Sequence, residues 1–139
     1  MRGQGSYIHK DDTYRFLVID RFGEDLDKTF NNGANPLSCS LVGTLAVQII
    51  NSLEYIHSRG YTHNDVKAAN LLLGLGKDRA NIYLVDFGLV VKYIKPSCGH
   101  KEYKADPKKA HDGTIEYLSR DAHIGCTSRR SDLENLCYT

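Results

Sequence analysis

No run of about 18 uninterrupted apolar residues occurs anywhere in the chain, so nothing in it reads as a membrane-spanning helix. The opening Met1-Arg2-Gly3-Gln4-Gly5 has no apolar core, which excludes a secretory signal at that position. Cysteine is sparse: Cys39, Cys98, Cys126 and Cys137 are scattered, with no Cys-x-x-Cys pair. That usage fits a reduced, intracellular compartment better than a disulfide framework. Cys98, His100 and His111 are zinc-ligand types, but their spacing matches no ligand pattern. There is no internal repeat and no dominant charge, since the net charge over 139 residues is +1. With 41% hydrophobic and 25% charged residues, the composition is that of one soluble globular unit. Charge is unevenly placed, however. Between Leu89 and Arg130 there are nine Lys or Arg against five Asp or Glu, a solvated basic face that could weakly attract phosphate or acidic groups.

What is present begins with a hairpin signal. Gly5 to Lys10 alternates, Asp11-Asp12-Thr13 is turn chemistry, and Tyr14 to Ile19 is rich in aromatic and β-branched residues. Glu24 to Phe30 reads as a short helix, and Asn31 to Pro36 as a loop. Ser38 can cap a long helix, in which Leu41, Leu45, Ile49, Leu53 and Ile56, with Ala46 and Ile50, form one apolar stripe. Gly60 stops it. Leu71-Leu72-Leu73 and Ile82 to Val85 read as short buried strands around a Gly-Lys-Asp-Arg turn region. Leu89 to Arg129 has little periodicity, and a loop of that length is usually functional or disordered. A last helix is expected from a Ser131 cap with Glu134 three residues on.

The chemistry lies in two segments. His63-Asn64-Asp65-Val66-Lys67-Ala68-Ala69-Asn70 has the form of a phosphoryl-transfer catalytic loop, and Asp86-Phe87-Gly88 that of a magnesium-binding loop. Such transfer needs a carboxylate to orient a hydroxyl and accept its proton, which Asp65 can supply. It needs positive charge beside the moving phosphoryl group, offered by Lys67. It needs hard oxygen ligands for Mg2+, offered by Asn70 and Asp86. Taken singly, Asp65 and Asp86 are better read as turn carboxylates and His63 as a packed histidine. Seven fixed residues coincide by chance on the order of 10⁻⁹ per placement, relaxed roughly tens of fold by flexible spacing. The set therefore outweighs its members.

On these residues the chain resembles the vaccinia-related kinase family, near casein kinase 1 in the protein kinase superfamily. The resemblance is carried by Tyr14-Arg15-Phe16, Asp20-Arg21-Phe22-Gly23, Leu53-Glu54-Tyr55-Ile56-His57, Asp65 to Leu73, Tyr83 to Leu89, His100 to Tyr103, His111 to Glu116 and Ser128 to Asp132. Ser119-Arg120-Asp121-Ala122-His123, where most kinases have Ala-Pro-Glu, narrows it to this branch. The resemblance implies an α+β protein kinase-like fold, incomplete: residues 1–23 as the last N-lobe hairpin and hinge, 24–139 as the first half of a mainly helical C-lobe. It implies ATP as phosphate donor and Mg2+ as metal. Ile19 becomes the gatekeeper, the backbone of Asp20 and Phe22 the adenine contact, and Leu72 the floor of the adenine pocket; Ile19 and Leu72 are equally at home as plain core residues. Thr114 is expected to join Asp65 and Lys67, against a loop-only role. Asp132 is expected to anchor the catalytic-loop backbone, with His63, against the alternative of a surface carboxylate favoured by a helix N-terminus. The implied substrates are protein Ser or Thr hydroxyls, chromatin-associated, and the implied location is nuclear. Nothing reads as direct nucleic-acid or membrane binding.

Two departures matter. Asn64 stands where most kinases have Arg and this family commonly has Gly, so activity should not depend on an activation-loop phosphate. The 139 residues also contain no Gly-rich loop, no Val-Ala-x-Lys strand and no helix with the partner Glu. Apolar faces left uncovered over several hundred Å² forgo on the order of 10 kcal/mol at ~25 cal/mol per Å², as much as a domain's stability. The isolated chain is expected to be marginally folded and inactive. A truncated or pseudokinase-like interaction protein is the alternative. A small-molecule phosphotransferase ranks last, because it is not expected to combine Asp86-Phe87-Gly88 with Gly113-Thr114.

Overall fold

The computed structural model describes residues 2–31, 38–95 and 99–139; most of the expected loop and Cys98 lie outside them. The chain opens on an antiparallel hairpin of β1 (Gly3–His9) and β2 (Asp12–Val18). Its turn falls on Lys10 and Asp11, at φ 47° and 68°, and not on Asp11 to Thr13 as expected. A two-residue turn with both residues left-handed follows the natural twist of paired strands, so β2 begins at Asp12 instead of Tyr14. Tyr7, Ile8, Tyr14, Phe16 and Leu17 on this hairpin are half or more exposed. Ile19, at 50% exposure, is no core residue here.

Helix α1 (Leu26–Asn31) starts later than Glu24 because Asp25 caps it. Its Oδ1 accepts from the Lys28 amide at 2.8 Å and its carbonyl from the Thr29 amide at 3.1 Å. Helix α2 (Cys39–Ser58) is capped as expected by Ser38, whose hydroxyl accepts from the Leu41 amide at 3.2 Å. It ends ahead of Gly60 at φ 84°. Of the expected stripe, Ile49 and Leu53 are buried and Leu45 packs against the core, but Leu41 and Ile50 are 44% and 45% exposed. By length and a mean hydropathy of 1.3, α2 is apolar enough to cross a membrane. Counting uninterrupted apolar residues missed this, because Ser40, Thr44, Gln48 and Ser52 interrupt it. Gln48 ties α2 sideways to the fold through the Ala80 carbonyl and the Ile82 amide, both at 3.0 Å.

After α2 come β3 (Tyr61–Thr62), β4 (Leu71–Leu73) and β5 (Ile82–Leu84), the last two paired antiparallel. The stretch expected to be irregular contains short ladders: β6 (Val91–Lys92) pairs with β3, and β7 (Ile94–Lys95) with β8 (Gly99–His100). Helices α3 (Arg120–His123) and α4 (Arg129–Tyr138) complete it. Helix α4 is capped by Ser128, whose hydroxyl accepts from the Ser131 amide at 3.0 Å, and not by Ser131. Extended backbone at Ser128 lets its side chain reach back into the first turn, while Ser131 is 2% exposed inside the helix.

The core joins Leu26, Ile49, Leu53, Val66, Ala68, Leu71 and Ile82. It sits directly under the segment expected to be catalytic, since Val66 and Ala68 belong to both. Cys39, Cys126 and Cys137 are free thiols. His100 packs on the Tyr93 ring, and His111 Nδ1 lies 3.2 Å from His123 Nδ1. Among the described residues no group of three or more His, Cys, Asp or Glu could hold a metal.

Candidate active site

Strand β3 hands the chain to His63, and burial of Val66 and Ala68 pins the loop to the core from below. Lys67 is in extended backbone at φ −161° and ψ 160°, and its side chain meets that of Asp65 in a polar cluster beside this core. There Lys67 Nζ lies 3.0 Å from Asp65 Oδ2, and Asn70 Nδ2 donates to the same oxygen at 2.9 Å. Thr114 Oγ1 donates to Asp65 Oδ1 at 3.2 Å and accepts from Lys67 Nζ at 2.6 Å. Asp65, Lys67, Asn70 and Thr114 thus form one closed polar cluster, and Thr114 is more than a loop residue. Gly113 makes this approach feasible: at φ 119° it passes so close that a Cβ would lie 2.8 Å from Leu118 Cδ2 and 3.3 Å from the Asn64 carbonyl.

Both amide hydrogens of Asn70 go to Asp65, one to the carboxylate and one to the backbone carbonyl, each at 2.9 Å, so Oδ1 is the end of the amide not committed to Asp65. The Val85 amide donates to the Asn70 carbonyl at 3.0 Å, which ties this loop to the strand leading into Asp86. Asp86 is exposed at φ 63°, and its Oδ1 accepts from the Gly88 amide at 3.2 Å. An amide oxygen and a carboxylate are hard donors of the kind magnesium takes, and such sites are completed by phosphates and water. The donor types therefore fit Mg2+.

His63 is fully buried, with its ring edge-on to Phe87 at 5.1 Å. The Asp65 amide donates to Nδ1 at 3.3 Å, so the proton sits on Nε2 and points to the Val85 carbonyl at 3.2 Å. Burial holds this imidazole below its ordinary range, against the pull of Asp132, the Val85 carbonyl, Asp65 and Asp86. A neutral ring is what both hydrogen bonds require.

Asp132 is no surface carboxylate. It is fully buried, and it accepts from the His63 amide at 2.9 Å, the Asn64 amide at 2.7 Å and the His57 ring at 2.7 Å. His57 was not singled out from the sequence; nor was Tyr93, whose hydroxyl donates to the His57 carbonyl at 2.6 Å. Asp121 was also missed as a hub: it accepts from Tyr103, Ser128, Ser131 and Arg130.

The expected adenine side is gathered less completely. The Phe22 ring lies 4.6 Å from that of Tyr83, which is the cross-strand partner of Leu72. Backbone bonds from Gly23 to Leu73 at 2.7 Å and from Leu73 to Glu24 at 3.0 Å hold this connection against β4. Asp20 sends its side chain to Arg2 at 2.7 Å, and Ile19 is half exposed.

Residues 4–122 match the protein kinase domain family model, which spans both the hairpin and the cluster around Asp65. The chain belongs to the protein kinase family. It is 47% identical over 135 residues to nucleosomal histone kinase 1 of Drosophila melanogaster, covering 96% of this chain and 22% of that protein. It is 45% identical over 137 residues to human serine/threonine-protein kinase VRK2, covering 98% and 26%. It is 43% identical over 137 residues to a probable serine/threonine-protein kinase of fowlpox virus, covering 98% and 44%. The vaccinia-related branch expected from the motifs is where these relatives lie, and the fold is the expected incomplete α+β kinase. The chain spans less than half the length of each.

Proposed function

We propose that this chain is the central part of a serine/threonine protein kinase that moves the γ-phosphate of ATP to Ser or Thr hydroxyls of proteins. The observation that carries the reading is the closed cluster of Asp65, Lys67, Asn70 and Thr114. Asp65 is oriented by three donors, and its carboxylate is the acceptor for the hydroxyl proton, a role worth about 10²–10⁴ in rate. Lys67 brings positive charge beside that carboxylate, and Thr114 holds the two in register. Asn70 Oδ1 and the Asp86 carboxylate are the magnesium ligands; the metal, when bound, neutralises phosphate charge. Ile19, the Asp20 and Phe22 backbone, and Leu72 form the adenine side, supported by the Phe22 to Tyr83 to Leu72 arrangement. His63 and Asp132 hold the catalytic-loop backbone.

Histones are the acceptor to try first, because one relative is named a nucleosomal histone kinase; chromatin substrates and a nuclear location follow the same support. In the full-length protein, Asp65→Asn lowers kcat by about 10²–10⁴ while the variant still unfolds in one cooperative transition. Wild-type protein that transfers no phosphate to Ser or Thr overturns the reading, as does a variant that keeps most of its rate.

The 139-residue polypeptide alone is inactive on this reading, for it carries no Gly-rich loop and no Val-Ala-x-Lys strand. Exposed Phe16 and Leu17 on β2, and Val42 and Val47 on α2, favour binding without catalysis as its only free activity. A sharp cooperative melt together with ATP-dependent transfer by this polypeptide would refute that.

A further inference from the structure

Asn64 has no part in the reaction as described, yet its side chain is among the most constrained in the site. It stands at φ 69°, a left-handed backbone that asparagine tolerates, and it is 8% exposed. Its amide nitrogen donates to the Leu89 carbonyl at 2.7 Å and to the Thr62 carbonyl at 3.3 Å. Both amide hydrogens are thereby committed, and turning the amide over would set its oxygen against two carbonyl oxygens. The remaining atom, Oδ1, is buried with no partner among the described residues. Leaving a buried acceptor unpaired is unfavourable. The compensation lies at the nitrogen end.

Leu89 directly follows Asp86-Phe87-Gly88. Ahead of Asp86, His63 holds the Val85 carbonyl at 3.2 Å and packs against Phe87. Behind it, Asn64 holds the Leu89 carbonyl. Two consecutive residues therefore grip the magnesium loop on either side of Asp86, and both hang their own amides on Asp132. Asp86 is exposed and is braced locally by the Gly88 amide at 3.2 Å. Ahead of Asp86 its placement relative to Asn70 is also set by the Val85 amide, which donates to the Asn70 carbonyl at 3.0 Å; behind it, the tie is the Asn64 grip on Leu89.

We propose that Asn64 is a positioning residue: through the Leu89 carbonyl it fixes the far end of the magnesium loop and keeps Asp86 in register with Asn70. An uncharged amide performs this tie, so no activation-segment phosphate is needed to hold it. The inference rests on the kinase reading for its effect on rate, but the tie itself is a property of the fold.

The test compares full-length wild type with Asn64→Gly and Asn64→Asp. Glycine adopts φ 69° freely and deletes only the amide; aspartate keeps the size but replaces the donor by an acceptor facing two carbonyls. With Asn64→Gly, the Mg2+ concentration for half-maximal rate rises roughly three- to tenfold, the size of one lost hydrogen bond, while KM for a protein acceptor stays within about twofold. Asn64→Asp gives at least as large a rise. Without nucleotide or metal, amide hydrogen exchange across residues 88–91 accelerates by a similar factor, and exchange in α2 does not change. Unchanged exchange and unchanged Mg2+ dependence in both variants overturn the proposal. So do parallel losses in kcat, acceptor KM and melting temperature, which mark general destabilisation. If wild type transfers no phosphate, the kinase reading fails, and the exchange measurement still decides whether Asn64 holds the loop.

Discussion

Replacing Asp132 by alanine removes the acceptor of three hydrogen bonds at once, those from the His63 amide, the Asn64 amide and the His57 ring. The carboxylate is fully buried, so solvent cannot substitute without parting α4 from the catalytic loop. A buried N–H left without an acceptor costs about 1–3 kcal/mol, so the two backbone amides together cost roughly 2–6 kcal/mol. The His57 side chain is 12% exposed and can turn outward, so it adds little. Set against a typical stability of about 5–15 kcal/mol, this either unfolds the domain or frees the loop that carries Asp65. Asp132→Asn retains one acceptor oxygen but turns an NH2 group toward the other donor, and should cost about half as much.

The measurement is denaturant unfolding of the full-length protein for both variants, with hydrogen exchange followed at the His63 and Asn64 amides. Alanine should lower stability by several kcal/mol, asparagine by less, and in any folded variant those two amides should lose protection first. An alanine variant destabilised by under about 1 kcal/mol, or one with both amides still protected, would show that the carboxylate does not hold the loop.

Further expectations follow from the same contacts. Burial keeps the folded pKa of His63 below its ordinary 6.5, so its stabilising contribution is complete above that pH and is lost as pH falls toward the folded value; the urea midpoint should drop between pH 7.5 and 5.5, and less so in His63→Gln. Asp121 is pushed up by burial, but bonds from Tyr103, Arg130 and Ser128 outweigh this and hold it below 3.8; its contribution is present above that value and lost as pH falls through the folded one, so Tyr103→Phe should soften the acid transition. Gly113→Ala must accommodate a Cβ at φ 119° against Leu118, costing about 1–3 kcal/mol of strain and displacing Thr114; kcat should fall while acceptor KM holds, and an unchanged kcat would remove Thr114 from the site. Phosphatase treatment of the full-length protein should alter its rate by less than about tenfold, since Asn64 cannot pair with a phosphate as arginine does.

The residues proposed to meet substrate or metal were legible as candidates because such chemistry restricts residue type: a base, a cation and two oxygen ligands leave few choices, and Asp65, Lys67, Asn70 and Asp86 stand at recognisable spacing. Helix α2 was legible because Leu45, Ile49 and Leu53 repeat along one face. The two-residue ladder of β3 with β6 was not, because two residues cannot show a period. Neither was the start of α4, where Ser128 and Ser131 are equally good caps by type and only the extended backbone at Ser128 decides between them.

Anchors are harder still, because any buried acceptor can serve backbone donors brought from elsewhere in the chain. Asp132 has the sequence context of a carboxylate in the first turn of a helix, and a surface residue of that kind is worth about 0.3–1 kcal/mol. The structure gives it instead two buried amides and a histidine, for which the cost of removal is several times larger. Magnitude therefore separates the two roles where sequence cannot. A small loss on Asp132→Ala means a helix-end charge, and a large one means that the catalytic loop is hung from α4.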